Sequence, residues 1–218
     1  MDREFWLDRW HSNRIGFHLE EVNPHLLAFW PEMPVASDAR VFVPLCGKSV
    51  DMHWLAEQGH RVIGVEISEQ AVSDFFEEQG LAPDVAHEGA FVRYTAGNID
   101  ILWGDFFELD PQTLGPVDAV FDRASLIALP PAMREQYVAH LRTLLPHRPP
   151  TLLVTLEYDQ AEMNGPPFAV REAEVRGFYE ADYTVSMVQD WDVLAEHPGF
   201  RDSGLTALHE RVYRLLAQ

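Results

Sequence analysis

The feature that most constrains the fold of this chain is an alternation of short apolar runs, rich in β-branched residues, with longer segments of helical period. Val41-Phe42-Val43 reads as a buried strand ending at Pro44, and residues 48–58 follow as a helix stopped by Gly59. Arg61 to Val65 reads as a second strand. Ser68 then supplies an N-cap, and Glu69 an acid in the first turn, for a helix running to about residue 79 and closed by Gly80. Residues 91–95 and 99–103 flank Gly97-Asn98, a hairpin signal. Val117 to Phe121 and Thr151 to Leu156 read as further strands, with helices expected over 131–145 and 171–178. The chain closes on two strands, at about 183–193 and 205–216, with no long helix between them. Strands alternating with helices build a parallel sheet covered on both faces. The expected fold class is therefore α/β, doubly wound and mostly parallel, with a terminal antiparallel hairpin on the sheet edge.

Ahead of the first strand–helix unit, residues 4–11 have a helical pattern that sets Trp6 and Trp10 one turn apart, and a second helix is expected over 19–30. Pro31, Pro34 and Ser37-Asp38 break that pattern. A length of 218 residues suits one domain. The expected organisation is a single domain over 1–218, with 1–36 as a helical N-terminal cover over the sheet.

Charge narrows the partners. Sixteen Lys and Arg face 35 Asp and Glu, a formal charge of -19, which repels phosphate backbones and anionic lipid. Nucleic acid and membrane surfaces are therefore not expected partners. The single cysteine, Cys46, allows no intrachain disulfide, which suits a reducing compartment. Met1-Asp2-Arg3-Glu4 puts charges where a signal peptide needs an apolar core, and no apolar run reaches the roughly 20 residues that span a bilayer. The chain reads as cytoplasmic.

In open parallel sheets ligands bind at the carboxyl ends of the strands, near the switch in strand order. At the first strand end stands Pro44-Leu45-Cys46-Gly47-Lys48-Ser49, where Gly47 lets a ligand approach the backbone. The dinucleotide fingerprint GxGxxG is absent, and the first glycine of a phosphate-binding GxxxxGK[ST] loop would have to be Phe42. At the second end, Glu66 lies about 20 residues past the first turn, the spacing of an acid that accepts both hydroxyls of a ribose; a surface acid is the alternative. At the end of the 117–121 strand, Asp122-Arg123 reads either as a structural ion pair or as a border of the transferred group. Asp105, after Gly104, reads either as an adenine-amino acceptor or as a turn or helix cap. His11, His18 and His25, and the looser group Asp51, His53 and Glu57, match no familiar metal spacing, so no metal is expected. Cys46 reads as a packed turn residue without a partner base.

Several of these segments together resemble the thiopurine S-methyltransferase family, bacterial type. They are Phe5-Trp6-Leu7-Asp8-Arg9-Trp10 with Gly16-Phe17-His18, then VFVPLCGKS at 41–49 and GHRVIGVEIS at 59–68. FDRASLIAL at 121–129 and Gly165-Pro166-Pro167-Phe168 complete the set, and the likeness runs from about Trp6 to the end. Pro44 and Leu45 replace the glycine-rich first motif of methyltransferases at large, which is that family's own pattern. The resemblance implies a Rossmann-like methyltransferase fold with a seven-stranded sheet and S-adenosyl-L-methionine as cofactor. It implies cofactor contacts at Trp10, Leu45, Glu66 and Arg123, adenine contacts at Asp105 and Phe106, and an acceptor-side aromatic at Phe17. Arg201 is the candidate for an acceptor-side basic residue.

The activity so implied is methyl transfer from S-adenosylmethionine to the sulfur of thiopurines or other aromatic thiols, and by extension to selenium or tellurium compounds, by a monomer. In-line displacement at a sulfonium carbon needs chiefly a dry site that aligns the partners. Trp10 would pack over the sulfonium side, and Arg123 would favour a thiolate electrostatically. The alternatives are a nicotinamide-dependent oxidoreductase, which the missing GxGxxG disfavours, and a non-catalytic nucleotide-binding module, which the polar residues at three strand ends disfavour.

Overall fold

The computed structural model describes residues 3–218, so Met1 and Asp2 of the N-terminal reading lie outside the described residues. Two helices come first: α1 (Arg3–His11) and α2 (Pro24–Phe29). The strand–helix alternation then runs β1 (Arg40–Pro44), α3 (Val50–Glu57), β2 (Arg61–Glu66), α4 (Glu69–Glu78). Three strands follow, β3 (Asp84–Glu88), β4 (Phe91–Ala96) and β5 (Ile99–Trp103), and then α5 (Pro111–Leu114), β6 (Ala119–Asp122), α6 (Ser125–Ala128) and α7 (Pro131–Leu144). The chain finishes with β7 (Thr151–Glu157), α8 (Glu172–Tyr179), β8 (Tyr183–Asp192), α9 (Pro198–Asp202) and β9 (His209–Ala217).

The strands form one nine-stranded sheet in the order β3-β4-β5-β2-β1-β6-β7-β9-β8. The five central strands, β5 to β7, pair in parallel. Both flanks are antiparallel, with β3 and β4 beyond β5 and the β8–β9 hairpin beyond β7. The seven strands implied by the resemblance are thus joined by two at the opposite edge. One of these, β4, is the first arm of the hairpin read around Gly97, whose φ is +57°. The other, β3, carries no apolar alternation because four of its five residues are exposed; only pairing with β4 makes it a strand.

Apolar residues cover both faces. On one, Phe42, Ile63, Val120 and Leu153 pack against α7 and α8 through Tyr137, Val138, Val175 and Tyr179. On the other, Val41, Val43, Phe121 and Val212 meet Leu26 and Trp30 of the N-terminal segment, with α3 and α4 beside them. The helix expected over 19–30 is shorter, because Asn23 caps α2 by accepting from the N–H groups of His25 and Leu26 and Pro24 opens it. A 3-10 turn, Trp30–Glu32, ends this segment, and the Trp30 indole N–H donates to His60 Nε2 at 2.9 Å. No helix among the described residues is long and apolar enough to cross a membrane.

Candidate functional site

The strand order reverses between β1 and β6, and the loops leaving their carboxyl ends, with that leaving β2, converge there. After β1 the chain turns abruptly: Leu45 and Gly47 both have positive φ, +47° and +54°. A non-glycine residue in that region is strained, a feature that concentrates at functional sites. The turn is anchored by the Cys46 N–H, which donates to the Val65 carbonyl at 3.0 Å. Gly64 makes the anchor fit, since a Cβ there would lie 2.6 Å from Cys46 Sγ. Cys46 itself is buried, and burial first, then Glu66, pushes its thiol well above the ordinary range, so it is a packing residue rather than a nucleophile.

Glu66 closes the turn. Its Oε2 accepts the Gly47 N–H and its Oε1 accepts the Ser68 N–H, both at 2.9 Å. Each carboxylate oxygen thereby keeps capacity for a further donor, which suits two neighbouring hydroxyls. Burial raises its pKa to about 7, against the lowering effect of the Ser68, Gly47 and Ile67 N–H groups.

Trp10 is the buried residue of α1, and its ring lies directly over Gly47, where a Cβ would come within 3.0 Å of it. Its other neighbour is Phe17, edge-on with ring centroids 5.4 Å apart; Trp6 meets the same ring at 5.7 Å. Phe17 remains 37% exposed, an accessible aromatic surface at the mouth of this group. Arg123 reaches the same segment, where its Nη2 donates to the Phe17 carbonyl at 3.5 Å.

The Asp122–Arg123 ion pair, one of the two sequence alternatives, is not formed. Asp122 points to the opposite face, accepting from the Tyr137 hydroxyl at 2.6 Å and the Ser125 N–H at 3.2 Å. Arg123 has no ion-pair partner among the described residues. Successive residues at a strand end point to opposite faces, which separates the two side chains.

Asp105 caps the 3-10 turn Phe106–Glu108, its Oδ1 accepting the Phe107 N–H at 2.9 Å while Oδ2 makes no bond among the described residues. The Phe106 ring is buried against Tyr137 and His140, so this residue presents backbone, not ring, to the strand-end cleft. Arg201 lies on α9 and is exposed. Beyond the motifs the sequence brought out, Asp51 joins the cover to the sheet. It is buried, accepts the Asn23 N–H at 2.7 Å and the Ser49 hydroxyl at 2.9 Å, and burial raises its pKa despite Arg123 and those bonds. The sequence set Asp51 only in a loose group with His53 and Glu57, which gave no sign of this link. His18, beside Phe17, has a lowered pKa, from burial first and then from Lys48. His11, His18 and His25 share no helix: the first ends α1, the last lies in α2 and His18 sits between them.

Two shallow hollows lie elsewhere. One of about 260 Å³, lined by Leu141, Arg142, Tyr179 and Tyr183, and one of about 530 Å³ beside Pro131 and Phe178, sit against α7 and α8. Thr151, the first residue of β7, lines the smaller, which puts it at the amino end of the sheet. Ligand chemistry in parallel sheets belongs to the carboxyl end, so the residues at the ends of β1, β2 and β6 are the functional candidate.

Comparison with known proteins identifies the family. The chain matches the family described as Thiopurine S-methyltransferase over residues 1–218. It is 51% identical over 216 residues to a thiopurine S-methyltransferase of Pseudomonas fluorescens (strain SBW25), covering 99% of both chains. It is 48% identical over 218 residues to that of Nitrosospira multiformis, covering 100% of this chain and 99% of the relative. Among solved structures, an S-adenosylmethionine-dependent methyltransferase from Anabaena variabilis aligns with a TM-score of 0.65 at 13% identity, over 99% of this chain and 95% of that one. The Burkholderia thailandensis 1,6-didemethyltoxoflavin-N1-methyltransferase, solved with S-adenosylhomocysteine, aligns with a TM-score of 0.63 at 19% identity, over 98% and 87% of the two chains. Those two likenesses establish the fold; the full-length matches near half identity establish more, and the chain belongs to the thiopurine S-methyltransferase family.

Proposed function

We propose that this chain transfers a methyl group from S-adenosylmethionine to the sulfur of thiopurines or other aromatic thiols. The observation that carries this reading is Glu66 at the end of β2. Its two oxygens are each held by one backbone N–H, and it stands beside a glycine roofed by Trp10. A ribose diol and an adjoining sulfonium fit that donor and acceptor set. In this reading Glu66 holds the ribose, Leu45 and Gly47 present bare backbone, and Asp105 with the Phe106 backbone holds the adenine. When bound, S-adenosylmethionine supplies an electrophilic methyl carbon on a positively charged sulfur.

The chain's own groups do the rest. Trp10 offers a π face to the sulfonium side. Together with Phe17 and Trp6 it excludes water and aligns the acceptor, which is where most of the acceleration arises in a displacement that neutralises charge. Arg123, with no ion-pair partner among the described residues, turns its guanidinium to acceptors that bind as thiolates and stabilises them. Arg201 is the second acceptor-side cation of this reading. We read residues 1–218 as one catalytic domain with 1–36 as its cover, acting as a cytoplasmic monomer on small molecules and not on nucleic acid.

Calorimetric titration with S-adenosylmethionine, S-adenosylhomocysteine and NAD tests the cofactor, with binding of the first two expected; binding of NAD alone refutes the reading. A methylation assay across thiopurines, thiophenols, selenite and tellurite then tests the acceptor. Turnover of none of the thiols refutes the sulfur acceptor.

A further inference from the structure

Glu210 on β9 pairs with Leu156 of β7 and Trp191 of β8. Leu156 is the next-to-last residue of β7, so Glu210 stands at the carboxyl end of the sheet, with Glu66 and Arg123. Val212, two residues along and on the same face, packs with Leu26 and Trp30, so Glu210 faces the N-terminal cover. There its Oε2 lies 2.8 Å from His25 Nε2. His25 is 1% exposed at the side chain and Glu210 is 21% exposed. The His25 ring also packs on Trp191, with centroids 5.2 Å apart.

Two features set this pair apart from an ordinary clamp between α2 and β9. Glu210 Oε1 makes no hydrogen bond among the described residues although the side chain is mostly buried. Arg123, which has no ion-pair partner among the described residues, also acts on its charge. Burial opposes the Glu210 charge, but the His25 hydrogen bond and the nearby Arg123 and His197 outweigh it and hold the carboxyl below its usual range. The carboxyl end of the sheet thus holds a cation and, apart from it, a carboxylate oxygen with no protein donor among the described residues. Heterocyclic thiols exist largely as thiones, which carry a ring N–H beside the carbon–sulfur bond and so offer a matching sulfur and donor.

We propose that Glu210 is the specificity-determining residue for heterocyclic acceptors, its Oε1 accepting a ring N–H while Arg123 faces the sulfur, and that His25 is its positioning residue. The proposal rests on the thiol-acceptor reading above. In the reaction the thione sulfur attacks the methyl carbon. A new carbon–sulfur bond forms, and the bond from that carbon to the sulfonium breaks, its electron pair remaining on the departing thioether sulfur. As the sulfur gives up its electron pair the ring N–H becomes strongly acidic, and its loss as the new bond forms keeps a full positive charge from building up beside Arg123. That proton passes to Glu210 Oε1, and the product leaves neutral. A weakly basic carboxylate suffices, because the acid it meets is far stronger than the starting thione. Thiophenol has no ring N–H and makes no use of Glu210.

Steady-state kinetics of the full-length chain on 6-mercaptopurine and on thiophenol test this, beside calorimetric binding of 6-mercaptopurine to the S-adenosylhomocysteine complex. Glu210→Gln should lower kcat/KM and affinity for 6-mercaptopurine by about tenfold or more, the worth of a hydrogen bond to a charged group, and leave thiophenol within about twofold. His25→Ala should shift the same way, and His25→Gln, which retains an N–H donor, should restore the preference. The readout is the ratio of two acceptors in one preparation, so loss of folded protein cancels; Glu210→Asp, which shortens the reach, should lower the same ratio. An equal fall for both acceptors, or no change in either, overturns the role of Glu210 while leaving the thiol reading intact. Failure of the parent chain to methylate either acceptor overturns both.

Discussion

Replacing Glu66 by glutamine should move stability and cofactor affinity in opposite directions. In the ligand-free fold, burial raises the Glu66 pKa from 4.5 to about 7. A carboxyl whose folded pKa lies above its unfolded value costs nothing below the unfolded value. Stability is then lost as the pH climbs from 4.5 through about 7, and the loss is complete above that. At about 1.4 kcal/mol per pH unit the full loss is roughly 3 kcal/mol. Glutamine cannot ionise and escapes it. The amide offers one acceptor oxygen where the carboxylate offers two, so either the Gly47 or the Ser68 N–H loses its partner, at about 1 kcal/mol. The net expectation is a gain of roughly 2 kcal/mol at about pH 8, near balance at about pH 5 and a loss of roughly 1 kcal/mol below about pH 4. In a domain of this size that is a melting temperature about 4–8 °C higher at the alkaline end and slightly lower at the acid end. Loss of one ribose acceptor should weaken S-adenosylhomocysteine binding by about tenfold or more. Thermal unfolding across this pH range, with calorimetric titration of S-adenosylhomocysteine, measures both. A variant that melts below the parent at about pH 8, or binds the ligand as tightly, refutes the reasoning.

Arg123→Lys should keep the melting temperature nearly unchanged and lose part of the turnover on 6-mercaptopurine, with Arg123→Ala losing more, because no ion pair among the described residues holds the guanidinium; a large fall in stability with intact kinetics would reverse this assignment. Deleting residues 1–18 should leave a folded sheet with poor turnover, since α1 buries only Trp10. Full activity in that truncation would show that the N-terminal aromatics are not part of the site.

The placement of much of the candidate site was legible because it is local. Glu66 stands where its spacing from the first turn put it, and Gly47 beside Trp10 where the strand-end rule put the ligand approach. Asp105 satisfies the capping alternative with one oxygen, and the other makes no bond among the described residues, so the two sequence readings are compatible. The Asp122–Arg123 pair was not decidable from adjacency alone. The side chains diverge to opposite faces, and the partner that claims Asp122, Tyr137, is 15 residues away on α7. His25 and Glu210 are 185 residues apart, and neither carries a local pattern that announces the other.

By itself the sequence determined the α/β class, the parallel core, the terminal hairpin and the strand-end residues, because periodicity, capping and turn chemistry act within a few residues. The tertiary structure alone decided that β3 is a strand, that α2 begins only at Pro24, and that His25, Asp51, Arg123 and Glu210 gather under one cover. Those outcomes depend on pairing and burial between distant segments. The free energy of such contacts exists only once the sheet has brought the segments together.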